Sequence, residues 1–149
     1  NHIRVGYVPQ KGKIISGTLQ DNIAFGVKHE QVDSDQIHEC MRIACVDDFF
    51  SDLSDGLQTN LGNDGVNISM GQRQRVLLAR ELYRDPVVLF LDESTSFLDD
   101  TTSRNVLQNL LSTDVTLVCT SHKLWMADLF DSVYEFVGSG PVTLQLQTK

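Results

Sequence analysis

A chain of 149 residues, 41% hydrophobic and 21% charged, has the size and apolar share of one globular domain, and this excludes a disordered chain. A net charge of −8 argues against a protein that grips nucleic acid by its phosphates, so no nucleic-acid partner is expected. No apolar run approaches the ~20 residues of a bilayer-spanning helix.

The chain opens at Asn1, without Met or a signal peptide, and runs straight into apolar alternation, as expected of a piece of something longer. Ile3 to Val8 alternates and reads as a strand ending at Pro9-Gln10. Thr18 can cap a short helix through Ala24, closed by Gly26. Asp33-Ser34-Asp35 starts a second helix to about Ala44, and Val46 to Leu53 adds a short one. Cys40, Cys45 and Cys119 read as free, mostly buried thiols of a reducing compartment, not as a metal site. Asp55-Gly56 and Gly62 to Gly65 are turns.

Ser69 caps a longer helix to about Tyr83, with Val76, Ala79 and Leu82 or Tyr83 on one face, opposite Arg73, Gln74, Arg80 and Glu81. Val87 to Leu91 is a continuous apolar run, which fits a strand of a parallel sheet buried on both faces. Asp99-Asp100 begins a helix through Leu111, and Val115 to Cys119 is another such strand. Lys123 to Phe130 reads as helical, and Ser132 to Val137 with Val142 to Leu146 as a hairpin. Strands alternating with helices predict an α/β layer fold, and the strand-poor stretch from Asp33 to Arg84 predicts a helical subdomain within it.

In open α/β sheets, ligands bind beyond the carboxyl ends of the strands. Gln10 follows the first strand here, Asp92 and Glu93 the second, and His122 the third. Asp92, emerging from a buried strand, can hold a hard cation such as Mg²⁺, and Glu93 could then act on water as a general base. Ser69-Met70-Gly71-Gln72 opens a helix, whose unpaired N–H groups favour phosphate. Singly, each has an ordinary explanation: a Gln or His after a strand is usually a solvated loop residue, and a Ser before a helix is a plain N-cap.

Order and spacing go further. Tyr7-Val8-Pro9-Gln10 resembles the glutamine loop of the ATP-binding cassette (ABC) family, and Thr18 to Gly26 the exporter-type segment after it. Gly56 to Gly62 leads, as in exporters, to Ile68-Ser69-Met70-Gly71-Gln72, which resembles the signature loop. Val87 to Glu93 resembles the Walker B strand with its catalytic glutamate, Ser94 to Asp99 the D-loop, and Thr120-Ser121-His122 the switch-histidine loop.

The resemblance implies a P-loop NTPase-like parallel sheet flanked by helices, with an inserted helical subdomain. Residues 1–32 would carry the core strand and glutamine loop, 33–84 the helical subdomain, and 85–149 the remaining motifs. It implies ATP and Mg²⁺ as cofactors. Asp92 would hold Mg²⁺, Gln10 would contact Mg²⁺ or the attacking water, Glu93 would polarise that water, and His122 would contact the γ-phosphate. Ser69, Met70, Gly71 and Gln72 would close over ATP held by a second cassette, at an interface organised by Asp99. The other partner implied is a transmembrane domain, at the cytoplasmic face of a membrane.

Three departures qualify the match. The phosphate-loop pattern, Gly, four residues, then Gly-Lys-Ser/Thr, is missing. Gly6 to Gly12-Lys13 has five intervening residues, and Ile14 stands where a hydroxyl is needed. The loop is expected upstream, and the chain alone is expected to be inactive. Met70 replaces the usual signature glycine, adding bulk. Asn63-Asp64 stands where exporters usually carry an acidic and then a variable residue. Two readings compete with an export ATPase. A non-transport ABC ATPase is disfavoured by the exporter-like run from Asp55 to Gln72 and the acidic balance. A catalytically weak, regulatory cassette is disfavoured by Glu93 and His122, while Met70 leaves room for it.

Overall fold

The structure, a computed structural model, describes residues 3–135. Three short strands, β1 (Val5–Val8), β2 (Val88–Asp92) and β3 (Thr116–Thr120), form a parallel sheet in the order β1-β2-β3. In register, Tyr7 lies beside Phe90 and Phe90 beside Val118, while Asp92 pairs with Thr120. All three strands therefore end along one edge of the sheet.

Between β1 and β2 the chain is helical: α1 (Leu19–Ile23), α2 (Ser34–Ile43), α3 (Asp47–Phe50) and α4 (Met70–Tyr83). α5 (Asp100–Leu111) joins β2 to β3. The starts of these helices are set by side chains that satisfy first-turn N–H groups. Thr18 Oγ1 accepts from the Asp21 N–H, and the Asp21 carboxylate accepts from the Thr18 N–H, closing a capping box. Asp33 accepts from the N–H groups of Asp35 and Gln36. Asp99 does the same for Thr102. α4 packs against α1, α2 and β1, and one continuous core joins the sheet's inner residues Val8, Leu89 and Leu91 to Leu19, Ile37, Val76 and Leu107.

Three expectations are corrected. The strands are buried on one face, not two: Phe90 and Val118 point outward and stay partly exposed, because nothing among the described residues covers that side. Gln74 and Arg80 do not lie on a solvated face of α4. Both are buried, with their polar ends hydrogen-bonded to backbone carbonyls. The helical reading of 123–130 holds, as a 3₁₀ helix over Leu124–Leu129. Of the expected hairpin, residues 132–135 carry no strand, and its remainder lies outside the described residues.

The cysteines are free. Cys40 and Cys45 are buried, and desolvation pushes the thiols of Cys40 and Cys119 up to about 12, which leaves them largely as inert thiols at neutral pH. No helix among the described residues is long and apolar enough to cross a membrane.

Candidate nucleotide-phosphate site

The parallel sheet brings the three strand-end groups together. Gln10 lies just past β1, Glu93 just past β2 and His122 two residues past β3. Gln10 Nε2 donates to Glu93 Oε2 at 2.7 Å, and His122 Nε2 lies 2.9 Å from Glu93 Oε1. Both carboxylate oxygens of Glu93 are thus held from opposite sides.

The backbone at Glu93 is specialised for this. Its φ of +46° is in the left-handed region, which a non-glycine residue adopts only when its surroundings hold it there. Here Thr120 does so: the Glu93 N–H points at both the carbonyl (3.2 Å) and the hydroxyl (3.1 Å) of Thr120. The Glu93 carbonyl in turn accepts from the Ser96 N–H, closing a turn.

Asp92, the last residue of β2, points to the outer side of the sheet. Tyr7 donates its hydroxyl to Asp92 Oδ2 (3.0 Å), and Thr120 Oγ1 donates to Asp92 Oδ1 (2.8 Å). The hydrogen bond to Asp92 raises the Tyr7 phenol above its ordinary range. A carboxylate oriented by two hydroxyls, one residue from a carboxylate held by an amide and an imidazole, is a hard-oxygen donor set of the kind Mg²⁺ takes alongside phosphate oxygens.

Glu93, Thr95, Ser96, Ser121, His122 and Lys123 line a cleft of about 240 Å³. Lys123 anchors its wall. Its ammonium donates to the Leu98 carbonyl, Asp100 Oδ1 and Ser103 Oγ at 2.9–3.0 Å, tying the loop of His122 to the start of α5.

The signature-like residues form a separate group at the start of α4. Ser69 Oγ accepts from the Gln72 N–H, and Gln72 Oε1 accepts from the Ser69 N–H, a complete capping box. The plain N-cap role of Ser69 is therefore real, and the N–H groups of Met70 and Gly71 are left without intrahelical acceptors. Gly71 is favoured here by close approach: a Cβ would stand 3.0 Å from the Phe97 carbonyl oxygen, so that backbone would have to give way. Met70 is partly exposed at this helix end.

Asp99 stands elsewhere, capping α5. Its carboxyl is held below the usual range by the Thr102 N–H and then by the Thr102 hydroxyl. No hydrogen bond links Asp99 or the α4 group to Glu93 among the described residues. Sequence alone assigned Tyr7, Gln74 and Lys123 no role at the site. Strand alternation places Tyr7 on the face of Asp92, a signal available in advance, whereas the partners of Gln74 and Lys123 lie 20 or more residues away in sequence.

A parallel α/β sheet with acidic, amide and imidazole groups meeting beyond its strand ends, and a separate helix start with free N–H groups, has the form of an α/β protein suited to phosphate-bearing ligands. Comparison with known proteins narrows this. The family model for ABC transporters matches residues 1–96. "ATP-dependent permease MDL1" of Candida albicans is 37% identical over 149 residues, 95% of this chain and 22% of that one. "Antigen peptide transporter 2" of Mus musculus is 37% identical over 133 residues, 89% of this chain and 18% of that one.

Among solved structures, a bacterial Atm1-family ABC exporter with ATP bound superposes with a TM-score of 0.79 at 28% identity, over 88% of this chain and 23% of that one. The chain belongs to the ABC transporter family, a family of ATP-binding ATPases. It spans about a fifth of the length of these relatives.

Proposed function

We propose that this chain is part of the ATPase of an ABC exporter and supplies two half-sites for Mg²⁺-ATP. One half-site is the strand-end group of Gln10, Asp92, Glu93 and His122. The other is Ser69, Gly71 and Gln72 at the start of α4, facing ATP held by a second cassette across an interface that includes Asp99. A transmembrane domain is the coupled partner, and the cytoplasmic face of a membrane the place of action.

The observation that carries the reading is Glu93 held between Gln10 and His122 beyond three adjacent parallel strand ends. When bound, Mg²⁺-ATP supplies the bond to be cleaved and the charge that holds the phosphates. The chain's own residues do the rest. Asp92 presents oxygens to the cation. Glu93 takes a proton from water at its carboxylate, whose orientation is fixed by the Gln10 amide and the His122 ring. Positioning and charge stabilisation of this kind supply most of the catalysis in phosphoryl transfer.

The test is Glu93→Gln in the full-length protein. Turnover should fall by ~10²–10⁴-fold, the usual loss for a positioned general base, while ATP binding is kept. Unchanged turnover overturns the assignment.

A further inference from the structure

An amide can meet a carboxylate at a fixed point only if its own backbone is held. Residues 9–17, which carry Gln10, contain no helix or strand. The loop is held instead by three residues of α4 spaced three apart, Gln74, Leu77 and Arg80. Gln74 Nε2 donates to the Gln10 carbonyl (2.5 Å) and the Pro9 carbonyl (3.3 Å). The loop then lies directly on the helix: a Cβ on Gly12 would collide with Leu77 Cδ1. Arg80 Nη1 donates to the Lys13 carbonyl (3.0 Å).

Gln74 is not explained by stability alone. Gln74 is only 3% exposed, and its Oε1 is buried with no hydrogen-bond partner among the described residues. An unpaired buried acceptor destabilises, and an apolar side chain of the same volume would avoid it. Turning the amide over would set Oε1 against two carbonyl oxygens, so Nε2 must face the loop. What accounts for an amide at this position is the backbone that Nε2 holds.

Arg80 is 9% exposed, and among the described residues none of its hydrogen bonds goes to a carboxylate. Beyond Lys13 it donates to the carbonyl (2.8 Å) and side-chain oxygen (2.6 Å) of Asn22, and Phe25 lies against it. Burial lowers its pKa. Only a guanidinium has the fork to reach all three oxygens at once.

We propose that Gln74 and Arg80 are positioning residues for the reaction at Glu93. They hold the loop backbone at Gln10 and Lys13, and so set where the Gln10 amide meets the Glu93 carboxylate. The inference rests on the proposed function. Both residues act through Gln10, since their own hydrogen bonds go to the loop and to Asn22 and not to Glu93.

The experiment is a double-mutant cycle in the full-length protein, combining Gln74→Met with Gln10→Ala and reading kcat and KM for ATP. Gln74→Met keeps volume and removes the donor. It should lower kcat on the order of tenfold with little change in KM, and should have no further effect once Gln10 is Ala. An equal fold-loss in both backgrounds means the role of Gln74 is structural and overturns the proposal. Should Gln74→Met not fold, Arg80→Lys, which keeps charge but loses the fork, goes through the same cycle with the same expectations. A Gln10→Ala protein with unaltered kcat also overturns the proposal, because nothing would remain for the loop to position. Loss of turnover in Glu93→Gln would still stand apart from that outcome, so the two readings fail separately.

Discussion

The two faces of the three-stranded sheet are made from the same kinds of residue and end in different states. On the inner face Val8, Leu89 and Leu91 are almost fully buried beneath the helices. On the outer face Val5, Tyr7, Phe90 and Val118 remain 57%, 52%, 40% and 43% exposed. Both faces reach the site: the inner side carries the loop of Gln10 on α4, and the outer side ends in Asp92, held by Tyr7 and Thr120. Apolar composition therefore does not say which face a strand buries here. What lies on top of it does.

The largest contrast is expected in stability. Leu89→Ala empties a fully buried inner position and should cost about 2–5 kcal/mol, depending on how far the core can collapse. Phe90→Ala, one residue away, removes only cross-strand contact with Tyr7 and Val118 and should cost no more than about 1 kcal/mol. Urea melts of the 149-residue chain carrying either change measure both. In any longer protein that covers the outer face, the two losses should converge. Equal losses in the 149-residue chain would mean that the outer face is not open.

This contrast also marks what sequence could tell. The alternation of Ile3 to Val8 read as a strand, and β1 is one over Val5–Val8, with alternate residues buried. The unbroken run Val87 to Leu91 stated two buried faces, and β2 has one, because periodicity reports a preference and not the presence of a covering layer. Caps were legible wherever the cap is local: Thr18, Asp33, Ser69 and Asp99 each bond within three residues. The meeting of Gln10, Glu93 and His122 was implied by strand ends and by family resemblance together, since parallel neighbours align their carboxyl ends. Gln74 and Arg80 read as a polar helix face because their partners, the Gln10 and Lys13 carbonyls, lie 64 and 67 residues away. A backbone carbonyl leaves no mark in a sequence.

Association is the next way to sharpen the comparison. An uncovered row of Val, Tyr and Phe on a sheet invites contact with another such face. The 149-residue chain should self-associate, and Phe90→Lys should shift it toward monomer by putting a charge in the middle of the row. Sedimentation or sizing of both proteins decides this, and a monomeric parent overturns it. The same preparation should bind Mg²⁺-ATP weakly, because the phosphate-loop pattern is missing from this sequence and such a loop supplies most phosphate contacts in sites of this class. Calorimetric titration checks it, and tight binding, on the order of micromolar, would refute it.

The smallest effect is expected on the covered side, at the exposed rim where α1 begins. Asp21 Oδ2 accepts from the Thr18 N–H (2.9 Å) and from the Thr18 hydroxyl (2.8 Å), and these two bonds, the backbone one first, lower its carboxyl below the usual 3.8. A carboxyl whose folded pKa is depressed adds stability that is fully present above its unfolded pKa and lost as pH falls through the folded value. Thr18→Ala should remove about 1 kcal/mol at neutral pH, the usual worth of an N-cap. It should also return the Asp21 pKa part of the way toward 3.8, since the backbone bond survives and the hydroxyl bond does not. Asp21→Asn should abolish this component of acid sensitivity. Urea melts from about pH 5 to about pH 3 give the comparison. The parent should lose more stability over that interval than Asp21→Asn, with Thr18→Ala between them. Parallel profiles for all three would mean that the capping box leaves the carboxyl where an unfolded chain has it.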